Sequence, residues 1–164
     1  MKKILIAVLL AVIFFVIAAP AGIAYASPMP NVHVTGIITT KVSVTDIKPV
    51  GTNNIWTVTG NSTITGDIAC SMVENDKLVI NPSGKFFGGG QQTFTGTVDG
   101  KSGSFTTIMF GDSLASGTLN VTAIIYKGTG ALSRLSGEIE YQLTYDSGSD
   151  TWVGSYIGSV WFAR

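Results

Sequence analysis

The stretch FTGTVDGKSGSF, Phe94 to Phe105, alternates apolar and polar residues on both sides of Asp99-Gly100. It also contains Gly100-Lys101-Ser102, which resembles the end of a phosphate-binding loop. Such a loop needs a glycine where Thr95 stands, and a helix after the Gly-Lys-Ser, but the residues that follow alternate like a strand. Asp-Gly is a strong signal for a two-residue hairpin turn, because both central positions need positive φ. We therefore predict a β-hairpin with Phe94 and Val98 on the face that is buried in the core.

Similar alternation recurs along the rest of the chain after residue 26, and no helical periodicity is found there. Short strands separated by turn residues predict a sandwich or a barrel, and a closed antiparallel barrel is favoured because closure removes exposed sheet edges. We expect one all-β domain over residues 27–164, with Gly88–Gly90 as a mobile loop. The predicted strands begin with Val32–Thr35, which Lys41–Thr45 either continues or follows. The others are Ile55–Gly60, Ser62–Ala69, Lys77–Ile80, Gln92–Val98, Gly103–Phe110, Gly117–Lys127, Glu138–Tyr145 and Thr151–Phe162.

The first 26 residues have the composition of a secretory signal peptide. Lys2 and Lys3 precede the uninterrupted apolar stretch Ile4–Ala19, and Ala24-Tyr25-Ala26 forms an A-x-A cleavage site. The uncharged residues 4–26 approach the length that spans a bilayer, so a retained membrane anchor is the alternative. Either outcome places the domain outside the cytoplasm, secreted or anchored.

Charge and histidine content exclude several classes of function. Ten basic residues balance ten acidic ones, and no basic cluster stands out, so nucleic acid is not a predicted partner. His33 is the only histidine, which rules out a zinc site built from two or three histidines. We predict neither a metal site nor a cofactor, and we expect His33 to be exposed or on an edge strand.

Two glycine-rich segments carry a resemblance to a known family. The hairpin at Phe94–Phe105 and the segment GTGALSRLSG, Gly128–Gly137, resemble paired motifs of uncharacterised small proteins with the allene oxide cyclase-like barrel. Val34–Gly36 and Gly60–Ala69 are also similar to that family's early strands. The resemblance implies an eight-stranded antiparallel barrel of the calycin type. It supplies no reaction for most members, although the plant enzyme cyclises a fatty-acid epoxide, and no active-site residue carries over.

Four residues are candidates for ligand binding. In the strand Thr151–Phe162, Trp152 and Tyr156 share one face with glycines. This alternation of large and small residues either fills the core of a small barrel, or the glycines leave room for a ligand beside the rings. Tyr141 and Cys70 are further candidates for buried polar groups. Cys70 has no second cysteine to pair with, so we expect a small buried residue, with a reactive thiol as the alternative.

Other polar groups have simpler interpretations. Glu138 and Glu140 share a strand face and suit acid–base chemistry, but we expect them to face water, because Ile139 and Tyr141 lie on the opposite face. The segment Asp146–Asp150 is predicted to be a hairpin turn rather than a calcium loop. Asn61 and Asn120 begin N-glycosylation sequons.

Two classes of function follow. The first is an exported module that binds a small apolar molecule or has a structural or surface role. The alternative is an isomerase or cyclase of the allene oxide cyclase type acting on a lipid-like substrate, which rests on the resemblance alone. We favour the first class over an enzyme. A membrane is a predicted partner only through an uncleaved N-terminal segment, and the pattern does not set the oligomeric state.

Overall fold

The computed structural model describes residues 30–113 and 117–163, and these form eight antiparallel strands in sequential order. The ring closes because β1 pairs with β8, for example at Gly36 and Tyr156. The predicted all-β fold of about eight antiparallel strands in a closed arrangement is confirmed; the predicted leader lies outside the described residues. The strands are β1 (Val32–Val50), β2 (Asn53–Gly66), β3 (Ile68–Ile80), β4 (Phe86–Val98), β5 (Lys101–Ser113), β6 (Leu119–Gly130), β7 (Leu135–Asp146) and β8 (Thr151–Phe162).

The hairpin at Asp99-Gly100 is confirmed. Both residues have positive φ, 49° and 72°, and Val98 pairs with Lys101 across the turn. Phe94 and Phe105 face the interior, where their rings stack with centroids 4.4 Å apart. Each buried ring contributes roughly 1.5–3 kcal/mol of hydrophobic stabilisation, so the hairpin is held by its interior face as well as by its turn.

Several predicted strand boundaries differ from those of the structure. Lys41–Thr45 continues the strand that begins at Val32, which is one of the two predicted alternatives, and β1 extends to Val50. The strand predicted at Ser62–Ala69 crosses the turn between β2 and β3. Gly66 enters that turn with a φ of 115°, and the Asp67 carboxylate accepts a hydrogen bond of 2.8 Å from the backbone N–H of Thr35. The turn is therefore fixed from a neighbouring strand, which local alternation does not reveal.

The glycines at 88–90 lie inside β4, so the predicted mobile loop is also wrong. A Cβ at Gly88 would lie 2.3 Å from the backbone oxygen of Lys77. A Cβ at Gly90 would lie 2.1 Å from Oδ1 of Asp76. These glycines permit close approach of β3, which is a recognised role of glycine within a sheet.

One end of the ring is filled by apolar side chains. It carries the connections after β2, β4 and β6. Leu132, in the turn between β6 and β7, is fully buried in the same core as Phe94 and Phe105. The Tyr156 hydroxyl accepts a hydrogen bond from the backbone N–H of Ile68 at 2.8 Å. Neither described segment contains a helix long and apolar enough to cross a membrane.

Candidate functional site

A cavity of about 710 Å³ occupies the other end of the ring. This end carries the connections after β1, β3, β5 and β7, and all eight strands contribute to the lining. The wall is mostly apolar, and aromatic side chains stand towards the mouth. The apolar and aromatic lining residues include Val42, Val58, Leu78, Leu119, Leu143, Trp56, Phe86, Tyr145 and Trp152.

The floor of the cavity is a buried hydrogen-bond network centred on Glu74 and Gln92. Glu74 accepts a hydrogen bond from the Thr40 hydroxyl at 3.2 Å and another from the Gln92 side-chain amide at 3.1 Å. The same amide nitrogen donates to the Tyr141 hydroxyl, and Gln92 Oε1 accepts from the Thr107 hydroxyl at 3.2 Å. Gln92 and Thr107 are fully buried. Both N–H groups of the Gln92 amide are thus used within the floor.

Asp76 lies beside this network with a free oxygen. It follows Glu74 by two residues on β3, so both side chains point inward. Asp76 is only 5% exposed, and within the described part of the chain its Oδ1 has no hydrogen-bond partner. A buried polar atom without a partner is uncommon in native proteins and needs a specific explanation.

Glycines on the two neighbouring strands make room for these carboxyl groups. A Cβ at Gly60 on β2 would lie 2.1 Å from Oε1 of Glu74, and one at Gly90 on β4 would lie equally close to Oδ1 of Asp76. Both clashes would involve a buried carboxyl held close to the sheet. The floor therefore depends on glycines at two positions as well as on the acids themselves.

Burial controls the ionisation of the floor. Burial, and to a smaller extent the nearby charge of Glu74, raises the pKa of Asp76 to about 7. Burial also raises the pKa of Glu74, although hydrogen bonds from Gln92 and Thr40 oppose this change. The pKa of Tyr141 lies well above its usual value, mainly because of burial. The floor thus contains a carboxyl group that exchanges its proton near neutral pH.

The structure separates the four sequence-predicted candidates. Tyr141 and Trp152 line the cavity. Tyr156 and Cys70 are not among its lining residues: Tyr156 is hydrogen-bonded to the backbone of Ile68, and Cys70 packs half-buried against the apolar core. Burial raises the pKa of the Cys70 thiol to about 12.

The remaining polar candidates lie on the outer surface. Glu138 and Glu140 are exposed, as predicted, and Asp146–Asp150 closes the hairpin between β7 and β8. Asn61 is exposed, whereas Asn120 is half-buried in an outer groove.

That outer groove is the larger concavity, at about 860 Å³, and runs across the outside of β4 to β8. Its apolar residues Phe87, Phe110 and Ile157 are more than half exposed. The carboxyl groups in its lining, those of Asp112 and Glu140, are exposed to solvent, so we assign the candidate site to the interior cavity, whose carboxyl groups are buried.

Sequence reasoning missed Glu74 and Asp76. The segment from Val73 to Lys77 has the polar composition of a turn, and its strand was predicted to begin only at Lys77. The two-residue period of a strand was the available signal. Glu74 and Asp76 stand at alternate positions between the apolar residues Met72 and Leu78, so all four side chains lie on the same face of β3. The inward residues of β3 are Ile68, Cys70, Met72, Glu74, Asp76, Leu78 and Ile80.

Residues 38–152 match the family described as "Protein of unknown function (DUF3224)". The chain belongs to the DUF3224 family. Its fold is similar to the crystal structure of a DUF3224 protein of unknown function from Shewanella oneidensis MR-1. The TM-score is 0.65 at 20% identity, over 82% of this chain and 100% of that one.

The fold also resembles that of the pterocarpan synthase dirigent protein GePTS1, with a TM-score of 0.51 at 9% identity, over 83% of this chain and 90% of that one. At these identities both similarities concern the fold alone. A search of curated proteins finds no significant match. The comparisons place the chain in a family of unknown function with a β-barrel-like fold, and they do not confirm the allene oxide cyclase-like label.

Proposed function

We propose that this DUF3224 domain binds a small, largely apolar molecule in its interior cavity. The observation that carries the proposal is the combination of an apolar wall with a hydrogen-bonded floor in a space of about 710 Å³. Small-molecule sites typically occupy roughly 300–1,000 Å³ and combine apolar walls with a few convergent polar groups. An interior filled like the opposite end of the ring would offer no such space.

The wall and the floor have separate roles in this proposal. Trp56, Trp152 and Leu143 supply apolar contact area for the body of the ligand. Tyr141 and Asp76 supply the polar contacts that orient it. Tyr141 accepts a hydrogen bond from Gln92, so its own hydroxyl hydrogen is available to a ligand.

Titration with a fluorescent apolar probe, such as 1-anilinonaphthalene-8-sulfonate or 1-aminoanthracene, tests the proposal. The test variant is Val42→Trp, which enlarges a half-buried side chain on the cavity wall. The matched control is Val73→Trp, on the exposed face of β3. We expect saturable binding to the wild type and the control, and at least a tenfold weaker affinity for Val42→Trp. Equal affinity for the two variants would place the probe outside the cavity and contradict the proposal.

We also propose that the domain is exported, on the basis of the leader-like residues 1–26. The denatured mass of the protein purified from its own source tests this, because cleavage after Ala26 and glycosylation at Asn61 or Asn120 each change the mass by a defined amount. A mass equal to that of the complete, unmodified chain would contradict cleavage and favour the retained anchor.

An isomerase or cyclase acting on a lipid-like substrate is the second candidate function. One observation favours it: Asp76 faces the cavity with a pKa of about 7, in the range that suits general acid–base catalysis at neutral pH. Incubation of the protein with lipid epoxides, followed by chiral chromatography of the products, tests it. Product distributions identical to those of the uncatalysed reaction would refute this candidate while leaving ligand binding intact.

A further inference from the structure

We infer that the ligand of the interior cavity carries a basic amine, and that Asp76 and Glu74 hold its ammonium group at the cavity floor. This inference rests on the proposed ligand-binding function and specifies the chemical class of the ligand. It distinguishes a lipophilic amine from a neutral apolar molecule and from a fatty-acid anion.

The first argument is charge. Two carboxyl groups face the cavity floor, and neither takes part in the ion pairs formed by the described residues, which join Lys41 to Asp150 and Lys101 to Asp99 on the surface. The basic side chain lining the cavity is Lys85, which is exposed in the turn between β3 and β4 at the mouth. Buried carboxylates in proteins are normally paired with a cation or neutralised by a proton. An ammonium group on the ligand would supply the missing partner.

The second argument is the hydrogen-bond inventory. Both oxygens of Glu74 already accept hydrogen bonds, whereas Asp76 lines the cavity and its Oδ1, buried beside Gly90, has no partner among the described residues. An ammonium group has three donors and no acceptor, so it matches the unpaired carboxyl group of Asp76. A carboxylate ligand would instead add a third acidic group beside Glu74 and Asp76, which like-charge repulsion disfavours.

The third argument is the shape and composition of the wall. Apolar and aromatic side chains, Trp56, Trp152 and Phe86 among them, surround the space between the floor and the mouth. Aromatic rings accommodate an apolar chain and also attract a desolvated cation through their faces. The cavity thus suits a molecule with one cationic end and an apolar body.

The inference has a pH signature with a defined sign. In the empty protein the pKa of Asp76 is about 7, so much of the carboxyl is protonated below that value. An ammonium ion binds the ionised carboxylate, so binding lowers this pKa and releases a proton in acid solution. Amine affinity should therefore fall by roughly tenfold for each pH unit below 7, because the competing proton must leave first.

Calorimetric titration of the purified full chain with three probes of equal length tests the inference: n-octylamine, n-octanol and sodium octanoate. At pH 8 we expect octylamine to bind at least tenfold more tightly than octanol, and octanoate most weakly. Asp76→Asn should weaken octylamine binding by at least tenfold and change octanol binding by less than about threefold. Lys85→Gln is the control for charge at the mouth and should change octylamine binding by less than about threefold. Val42→Trp separates cavity binding from adsorption on the outer groove.

The outcomes separate the two proposals. If octanol binds in the cavity, but octylamine binds no better or becomes weaker as the pH rises from 5 to 8, the amine inference is overturned and the apolar-ligand function stands. Equal octylamine affinities for wild type and Asp76→Asn would also overturn it. If none of the three probes binds in a manner sensitive to Val42→Trp, both proposals fail.

Discussion

Replacement of Asp76 by asparagine should stabilise the empty protein at alkaline pH and have little effect in acid. Asparagine has nearly the same shape as a protonated aspartic acid and carries no charge. The folded protein raises the pKa of Asp76 from 3.8 to about 7, mainly by burial. Between these values the folded state binds more protons than the unfolded state, so the unfolding free energy of the wild type falls as the pH rises. The unfolding free energy of Asp76→Asn should not fall in this way, because asparagine does not ionise.

The magnitude follows from the size of the pKa change. A change of about three pKa units corresponds to roughly 4 kcal/mol in full, at 1.36 kcal/mol for each unit. Water in the open cavity screens part of this penalty, so we expect a stabilisation of about 2 kcal/mol at pH 8, on the order of half the unscreened value. At pH 4 the two proteins should agree within about 0.5 kcal/mol, as for an ordinary conservative substitution.

Urea unfolding of the ligand-free protein at pH 4, 6 and 8, followed by tryptophan fluorescence, measures this difference. Glu138→Gln is the matched control, because Glu138 lies exposed on the outer face of β7. It should change the unfolding free energy by less than about 0.5 kcal/mol at every pH. A constant difference between Asp76→Asn and the wild type from pH 4 to 8 would refute the buried, proton-exchanging Asp76 on which the site rests.

Two further predictions concern candidates that lie outside the cavity lining. Tyr156→Phe removes the hydroxyl that accepts a hydrogen bond from the Ile68 N–H, so it should lower the free energy of unfolding in urea by about 1–3 kcal/mol. The affinity for the fluorescent probe should stay within twofold of wild type. Weaker probe binding without a loss of stability would contradict this structural role. Because burial raises the pKa of Cys70 to about 12, the folded protein should resist 5,5′-dithiobis(2-nitrobenzoic acid) at pH 8 and react promptly after unfolding in urea; fast labelling of the native state would contradict the burial.

The features that the sequence predicts correctly are those set by neighbouring residues. Asp99-Gly100 forms its turn because both residues must adopt positive φ, whatever the rest of the chain does. The outward orientation of Glu138 and Glu140 follows from alternation within one strand. The inward face of β8, with Trp152 lining the cavity and Tyr156 in the core, follows from the same two-residue period.

The missed features depend on neighbouring strands. Glu74 and Asp76 point into the ring because they lie on the same face of β3 as Met72 and Leu78, and those apolar residues place that face inward. Their burial also requires Gly60 and Gly90 on the neighbouring strands. No local window contains both the acids and these glycines, so the sequence alone predicts a loop at Gly88–Gly90 and does not reveal the space that Gly90 leaves for a carboxyl group.

The position of the two acids favours a role in binding over a role in folding. Replacement of buried ionisable groups by well-packed apolar residues is often neutral or stabilising, so a ring of this size does not need carboxyl groups to close. The apolar end shows the alternative in the same molecule, since Phe94, Phe105 and Leu132 are buried in a core cluster that contains no carboxyl group. At the open end, Thr40 and Gln92 hold Glu74 in place, while Asp76 lines the cavity and its buried Oδ1 has no partner among the described residues. A network that fixes one carboxyl and leaves its neighbour on the cavity wall with an unpaired oxygen is suited to receive a ligand there.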